Sequence, residues 1–356
     1  MGFVRKFTEQ AFDALSDMAP ASLRKAEEKN PWFVSDFIKH RLDVLKISLA
    51  EEKETMCKLL HMEIQAHAPK VISIVAAGNI PLVCWHDVVC CLAYGAAHPG
   101  KVRIEIKLSS RDDVLLPAFF ERLFLLDNTF TEEMDIQFVK NLSPQTQAVL
   151  FTGGSLAQEY YTRTFPNTPL LLRTGRNSVA LLSGNETDNQ LEGLTEDCFL
   201  YFGLGCRNVS LLLVPEGYDF EPLVQQVQTR FGNLLNQHIG YSHAFRHARA
   251  CRAMEEDVAK HSVPEAGVAS AMGTASALKA FFVLEQNSDL SPPMGVLYYS
   301  TYQTVAQAAA FIEDHRQVIQ CVAGTTEVPF GRTQRPLFSD FADGLNTVEW
   351  LQKLSC

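Results

Sequence analysis

Cys206 is the residue whose neighbours best equip it to act as a nucleophile. It lies in Gly203-Leu-Gly-Cys-Arg-Asn-Val-Ser210, between a stretch that reads as a helix and one that reads as a strand. Glycines precede it and Arg207 follows it. A cysteine attacks as its thiolate, which a positive neighbour or convergent backbone N–H groups stabilise. Arg207 and a glycine-loosened backbone could supply both. The plainer alternative, a buried structural cysteine, suits most of the other eight, at 57, 84, 90, 91, 198, 251, 321 and 356.

Three turns could serve a reacting carbonyl or a cofactor. Gly78-Asn-Ile-Pro81 follows the apolar run Val71–Val75. At the end of a parallel strand, Asn79 can donate its side-chain amide to a developing oxyanion, and it fits equally as an ordinary turn residue. Lys107-Leu-Ser-Ser110 closes the next run, so Lys107, Ser109 and Ser110 suit a ribose or a 2′-phosphate, or else a solvated cap. In Phe151-Thr-Gly-Gly-Ser155, the small residues Thr152, Gly153, Gly154 and Ser155 would expose N–H groups that receive phosphate. A helix cap explains them as well. No GxGxxG fingerprint occurs, so ordinary dinucleotide recognition of that kind is not expected.

A metal is not expected. His243 and His247 stand four apart on a presumed helix with His238 nearby, but no carboxylate or cysteine completes a motif of the HExxH kind. The arginines among them, Arg246, Arg249 and Arg252, point to a solvated helix face, and an anion-contacting role for the cluster stays open.

The elements that must position these residues follow from periodicity. The first 68 residues read as helices, with Phe7, Phe12, Leu15 and Met18 near helical spacing, a break at Asn30-Pro31-Trp32-Phe33, and a surface helix over Leu42–His67. Val71–Val75 is a nearly unbroken β-branched run, as a buried parallel strand requires. Strand and helix then alternate: Val83–Tyr94 helical, Val102–Lys107 extended, Asp112–Leu126 helical, Ala148–Phe151 extended. Leu170–Leu172 and Val179–Leu182 add short strands, and a helix over Thr187–Cys198 leads into the Cys206 turn and the strand Leu211–Val214. A helix over Phe220–Asn236, a strand over Pro292–Tyr299, a helix over Thr304–Arg316, a strand over Val318–Val322 and a last helix near Thr347–Leu354 follow. This alternation predicts an α/β protein with parallel sheets and crossover helices. We expect a first domain over 1–197, a second α/β domain carrying Cys206 over 198–325, and a tail over 326–356 that packs back on the first.

Composition narrows the function classes. The 356 residues hold 31 basic against 41 acidic side chains, a net charge of −10, and no dense Lys/Arg run, which argues against a nucleic-acid binder. With 47% hydrophobic residues the chain can bury a large core. The longest apolar stretch, Val71–Trp85, is broken by Gly78, Asn79 and Pro81 and falls short of the ~20 residues a membrane span needs. Nine scattered cysteines without a CxxC pair disfavour a disulfide scaffold, so a reduced, cytoplasmic globular protein is expected.

In order, the Asn-x-Pro, Lys-x-Ser-Ser and Phe-Thr-Gly-x-Ser turns and the glycine-flanked cysteine resemble the aldehyde dehydrogenase superfamily. More narrowly, the chain resembles the acyl-CoA reductases related to LuxC, the fatty-acid reductase of bacterial luminescence. The similarity runs from Asn30-Pro-Trp-Phe33 to Phe341-Ala-Asp-Gly344 and is most specific from Arg176-Asn-Ser-Val-Ala-Leu through Phe202–Ser210. It implies an aldehyde-dehydrogenase-like fold, a parallel-sheet dinucleotide-binding domain plus a second α/β catalytic domain. By the same resemblance Cys206 takes the acyl group as a thioester, and Asn79 with the Cys206 N–H forms the oxyanion hole. Lys107 and Ser109 contact the adenosine ribose, and Thr152, Gly153, Gly154 and Ser155 the pyrophosphate region.

Departures from the family pattern refine this. Hydrolytic relatives carry a glutamate base where this chain has Leu172, 34 residues before Cys206. Without that carboxylate, water is poorly activated against a thioester. Ser110 replaces a glutamate typical of NAD-selective relatives, which removes a repulsion against a 2′-phosphate and favours NADP(H) over NAD(H). Ser291-Pro-Pro-Met-Gly295 lacks the family's ribose-steadying glutamate, and Arg335 stands where a smaller residue is expected. The expected activity is reduction of an acyl-CoA or acyl-carrier-protein thioester to an aldehyde, with no metal. Self-association, or a partner subunit that supplies acyl groups, is compatible with it. An acyl-phosphate reductase and a non-catalytic aldehyde-dehydrogenase-like binding subunit are the alternatives.

Overall fold

The computed structural model describes residues 2–61, 69–262 and 281–354. The chain forms two compact units, Met1–Gly175 with Pro336–Cys356, and Arg176–Arg335.

The first unit begins with four helices, α1 (Gly2–Ser16), α2 (Pro20–Lys29), α3 (Ser35–Glu51) and α4 (Lys53–Leu59). Val4, Phe7, Ala11, Ala14 and Leu15 are buried on α1, a three- and four-residue spacing that makes one apolar stripe. The single helix expected over Leu42–His67 is interrupted at Glu52, and its part over 62–67 lies outside the described residues.

The first sheet is five parallel strands, β1 (Val71–Val75), β2 (Arg103–Lys107), β3 (Asp135–Phe138), β4 (Ala148–Thr152) and β5 (Leu170–Arg173), in the order β3-β2-β1-β4-β5. All five residues of β1 are buried, as a central parallel strand covered on both faces demands. The intervening helices are α5 (Trp85–Ala97), α6 (Leu115–Leu126), α7 (Phe130–Glu133) and α8 (Ser155–Thr164). The chain builds outward from β1 to β3 and then returns to β4 on the other side. The switch point therefore lies between β1 and β4, and a switch point in an open α/β sheet leaves a crevice at the strands' C-terminal ends.

The second sheet is also parallel, with β6 (Asn177–Leu181), β7 (Val209–Pro215), β8 (Val283–Gln286), β9 (Val296–Tyr302) and β10 (Ile319–Ala323) in the order β10-β6-β7-β9-β8. Its described helices are α9 (Asp188–Phe199), α10 (Glu221–Phe231), α11 (Leu234–Gln237), α12 (Ile239–Ser262) and α13 (Val305–Asp314). Helices α9 and α13 each open on a reciprocal capping box, Thr187 with Gln190 and Thr304 with Gln307.

The division expected at 197/198 falls instead after Gly175. The reason is pairing: β6 is laddered to both β7 and β10, and α9 packs on α10, so residues 176–197 belong with the second sheet. The segment from Pro336 groups with the first unit. There α14 (Thr347–Lys353) lies against α5. Arg173, at the end of β5, fastens it by donating to Asp87 Oδ1 at 2.9 Å, Thr347 Oγ1 at 2.7 Å and the Ala342 carbonyl at 3.1 Å. Both charges are buried, so removing either partner would leave the other uncompensated.

Candidate active site

In the second unit, Cys206 sits just before β7, on a turn that the backbone reaches in an unusual way. After α9 a short 3-10 turn, Leu200–Gly203, holds Tyr201 at φ 55°, Phe202 at φ 56° and Gly203 at φ 73°. Left-handed backbone costs a side-chain-bearing residue roughly 1–2 kcal/mol. Burial offsets that cost: Tyr201 and Phe202 are buried, and the Phe202 ring lies 5.3 Å from His238 and 5.4 Å from Tyr241. His238 Nδ1 accepts the Tyr241 N–H at 3.0 Å, and burial lowers the pKa of the ring.

Beyond Gly203 the loop is pinned by Asn208, which is buried. Its Oδ1 accepts the Gly205 N–H at 2.8 Å, and its amide donates to the carbonyls of Asp197 at 3.0 Å and Leu200 at 2.9 Å. Ser178, on β6, donates its hydroxyl to the Cys206 carbonyl at 2.9 Å. Cys206 itself is exposed. By contrast Cys84, Cys90, Cys91 and Cys198 are buried, and desolvation pushes each thiol well up from its ordinary value. Accessibility therefore singles out Cys206 from these.

Two features escaped sequence reasoning. Ser178 Oγ also lies 3.1 Å from Cys321 Sγ on β10. Asp197, near the end of α9, accepts from Gly331 N at 2.7 Å, Thr333 N at 3.0 Å and Thr333 Oγ1 at 2.7 Å, tying the 331–333 loop to the helix that precedes Cys206. Neighbouring Glu196 pairs with Arg230 and, at 2.9 Å, with Arg335. That pairing accounts for an arginine at 335.

In the first unit, the turns singled out from sequence lie at the C-terminal edges of adjacent strands. Val75 is in register with Lys107 on one side and Phe151 on the other, so the Asn79, Lys107–Ser110 and Thr152–Ser155 segments all leave neighbouring strand ends. The Asn79 turn is fixed at both sides. Asn30 donates to the Gly78 carbonyl at 3.1 Å, and buried Asp112 accepts the N–H of Leu82, whose φ is 51°. Burial raises the Asp112 pKa to about 6. Gly78 is pressed against the next loop: a Cβ there would come within 2.7 Å of Ser109 Oγ. Lys107 and Ser109 are half-buried and Ser110 is exposed.

Helix α8 opens at exposed Ser155 with Gly154 as its N-cap and no side chain capping it. The bond from Gln158 N to Gly154 O is the first of the helix, so the N–H groups of its first turn have no intrahelical partner, while the Gly153 N–H donates to the Arg173 carbonyl at 3.3 Å. Leu172, on β5, is in register with Phe151 of β4. His243 and His247 lie on α12, and among the described residues no group of three or more His, Cys, Asp or Glu side chains could hold a metal ion. No helix among the described residues is long and apolar enough to cross a membrane.

No family model matches the sequence, and no curated protein does. Solved structures do. HpcC of Thermus thermophilus aligns over 91% of this chain and 70% of its own, with a TM-score of 0.59 at 12% identity. Aldehyde dehydrogenase C of Pseudomonas syringae, solved with NAD+ and octanal, aligns over 90% and 71%, with a TM-score of 0.56 at 10% identity. The fold is aldehyde-dehydrogenase-like. Aldehyde dehydrogenase 21 of Physcomitrella patens, solved with succinate, has the same likeness over 91% and 73%, at a TM-score of 0.51 and 13% identity. An aldehyde-dehydrogenase-like fold agrees with the two parallel sheets described above.

Proposed function

We propose that this chain is a nicotinamide-dependent reductase that converts an acyl thioester to an aldehyde through an acyl group carried on Cys206. The observation that carries the reading is the exposure of Cys206 on a loop pinned through Asn208 and Ser178. The likeness to aldehyde dehydrogenase C, which was solved with NAD+ and an aldehyde, supports the broader class of aldehyde-related oxidoreductase.

The first unit's residues fit a dinucleotide. Uncapped N–H groups at the start of α8, with Thr152, Gly153, Gly154 and Ser155, would hold the pyrophosphate region, and Lys107 and Ser109 the adenosine ribose. With neutral Ser110 beside it, Lys107 can pair with a 2′-phosphate, which favours NADP(H).

In the reaction the Cys206 thiolate attacks the acyl carbonyl carbon. The Cys206 N–H stabilises the oxyanion, the part the resemblance also gives to the Asn79 amide. As the intermediate collapses, the bond to the carrier sulfur breaks and the carrier leaves as its thiol with a proton. The acyl group now rests on Cys206 as a thioester. The segment the resemblance aligns with the hydrolytic relatives' glutamate base carries Leu172 instead, which favours a thioester that resists hydrolysis. When bound, the nicotinamide cofactor supplies the hydride that reduces this acyl group, and the aldehyde departs as Cys206 regains its thiolate.

The test is intact-mass measurement after incubating the chain with acyl-CoA thioesters of graded length. An acyl adduct that disappears in Cys206→Ala, together with NADPH consumption followed at the cofactor's absorbance, is the expected result. Turnover that persists in Cys206→Ala overturns it. Acylation by an acyl phosphate and not by acyl-CoA moves the substrate to that class. Absence of both acylation and NADPH binding leaves a non-catalytic binding subunit.

A further inference from the structure

Helix α12 carries a run of charge that the proposed reaction leaves unused. From His238 to Met254 the chain has no aspartate or glutamate, and it holds Arg246, Arg249 and Arg252 with His243 and His247 among them. The acids begin only at Glu255. Tyr241 and Phe245 are buried and fix the inner side of the helix, whereas His243, Arg246, His247 and Arg249 are exposed. Arg252 reaches Glu285 on β8 at 3.5 Å. Arg246 and Arg249 stand three apart, so they are neighbours on the helix surface, and like charges so placed weaken a helix. Helix stability therefore does not account for them.

Other surface cations are neutralised by neighbours: Arg5 lies beside Glu54, Lys29 beside Asp113, Arg122 beside Asp17 and Arg163 beside Glu159. A chain of net charge −10 repels an acidic partner over much of its surface. The outer side of α12 is the opposite case. It also adjoins the candidate nucleophile. Tyr241, in the first turn of α12, and His238 just before it pack on the Phe202 ring, four residues ahead of Cys206. At 1.5 Å per residue, Arg246 and Arg249 lie about 8 and 12 Å along the helix from Tyr241.

We propose that the outer side of α12 docks an acidic acyl carrier protein that brings the acyl thioester to Cys206. This rests on the acyl-transfer reading of that cysteine. A carrier protein fits the face better than the nucleotide of coenzyme A does. A nucleotide is held in a concave site. Here the charges stand on the convex side of a helix, spread over two turns, with exposed Ala250 and Ala253 beside them, so that a helix of another protein can approach closely. Acidic side chains on that helix pair with Arg246 and Arg249, and the same charges steer the encounter.

The experiment measures binding of a holo acyl carrier protein of fatty-acid synthesis to the full chain by thermophoresis, at about 20 mM and about 300 mM salt. The carrier bears no acyl group, so binding is read apart from any reaction. The unaltered chain should bind at low salt and lose most of that binding at high salt. Arg246→Glu combined with Arg249→Glu should weaken binding about 10-fold or more, with thermal melting and iodoacetamide alkylation of Cys206 unchanged. Arg246→Lys combined with Arg249→Lys should retain binding. A carrier whose acidic helix residues are changed to lysine should fail to bind the unaltered chain, which tests the charge pairing without altering this protein. Absence of binding by the unaltered chain, or equal binding by the glutamate variant, overturns the proposal. So does a glutamate variant that loses acylation by acyl-CoA to the same degree, because the face would then hold the nucleotide. If the carrier binds as expected and neither acyl carrier nor acyl-CoA acylates Cys206, the acyl-transfer reading fails and the docking face stands.

Discussion

Asn208 Oδ1 accepts the N–H of Gly205, the residue immediately before Cys206, at 2.8 Å, while its amide group bonds back to two carbonyls at the end of α9. One buried side chain thereby closes the chain between helix and strand and holds open the turn on which Cys206 is displayed. Because three polar partners lose their bonds together, Asn208→Ala should cost roughly 2–4 kcal/mol of stability. It should also slow alkylation of Cys206 by iodoacetamide, because the loop no longer presents the sulfur. Urea unfolding and a timed alkylation assay check the two effects. An unchanged alkylation rate in a folded variant would mean that the presentation of Cys206 does not depend on this pin.

How much of this was legible in sequence depends on where the information lay. The β-branched run of β1 and the small residues after β4 are local signals, and both strands form as read. Strand β3 has a largely exposed, polar-rich sequence, Asp135-Ile-Gln-Phe138, because it is the sheet edge, and so it lacked the apolar signature of its neighbours. At only four residues, β8 is another edge strand with little periodicity to read. The placement of β6 in the second sheet is a matter of pairing, not of local pattern. The same holds for contacts such as Ser178 with Cys321 and Asp197 with Thr333, whose partners stand more than a hundred residues apart. Arg335 looked anomalous in sequence only because its partner, Glu196, is equally remote.

Asp197 gives a pH signature. Despite three accepted hydrogen bonds, burial raises its pKa from 3.8 to about 6. Its contribution to stability is whole below about pH 4, where folded and unfolded chains both hold the proton. Between about pH 4 and about pH 6 the unfolded chain releases the proton first, so that contribution is lost as pH rises. Relative to the unaltered chain, Asp197→Asn should therefore gain roughly 2–3 kcal/mol across that window. Asp112, shifted in the same direction, is present in both proteins and cancels in the comparison. Urea titrations at a series of pH values measure the difference, and a flat difference would contradict the assigned shift.

Gly78 tests how the Asn79 turn meets the β2 loop. A methyl group at 78 would lie 2.7 Å from Ser109 Oγ, 2.8 Å from Ser109 Cβ and 2.9 Å from Arg111 Cβ. Gly78→Ala must push these loops apart, at a cost of roughly 1–3 kcal/mol. NADPH binding should weaken with it, since Ser109 moves. Adding Ser109→Gly removes two of the three collisions, so the double variant should regain thermal stability without regaining affinity. Thermal melts and a fluorescence titration with NADPH separate these effects. Full affinity in the double variant would show that Ser109 does not touch the cofactor.

Ser110 tests cofactor choice. It is exposed just beyond the half-buried Lys107–Ser109 edge, and its hydroxyl carries no charge. Ser110→Glu would set a carboxylate where a 2′-phosphate is expected and, at an effective dielectric suited to a protein surface, the repulsion amounts to about 1–3 kcal/mol. The KM for NADPH should therefore rise roughly 10-fold or more. NADH lacks that phosphate and can donate a hydrogen bond from its ribose hydroxyl to the new carboxylate, so its KM should stay level or fall. Lys107→Ala should weaken NADPH more than NADH if the lysine pairs with the 2′-phosphate as proposed. If both substitutions alter the two cofactors equally, this edge contacts only what they share, and the proposed preference for NADP(H) is overturned.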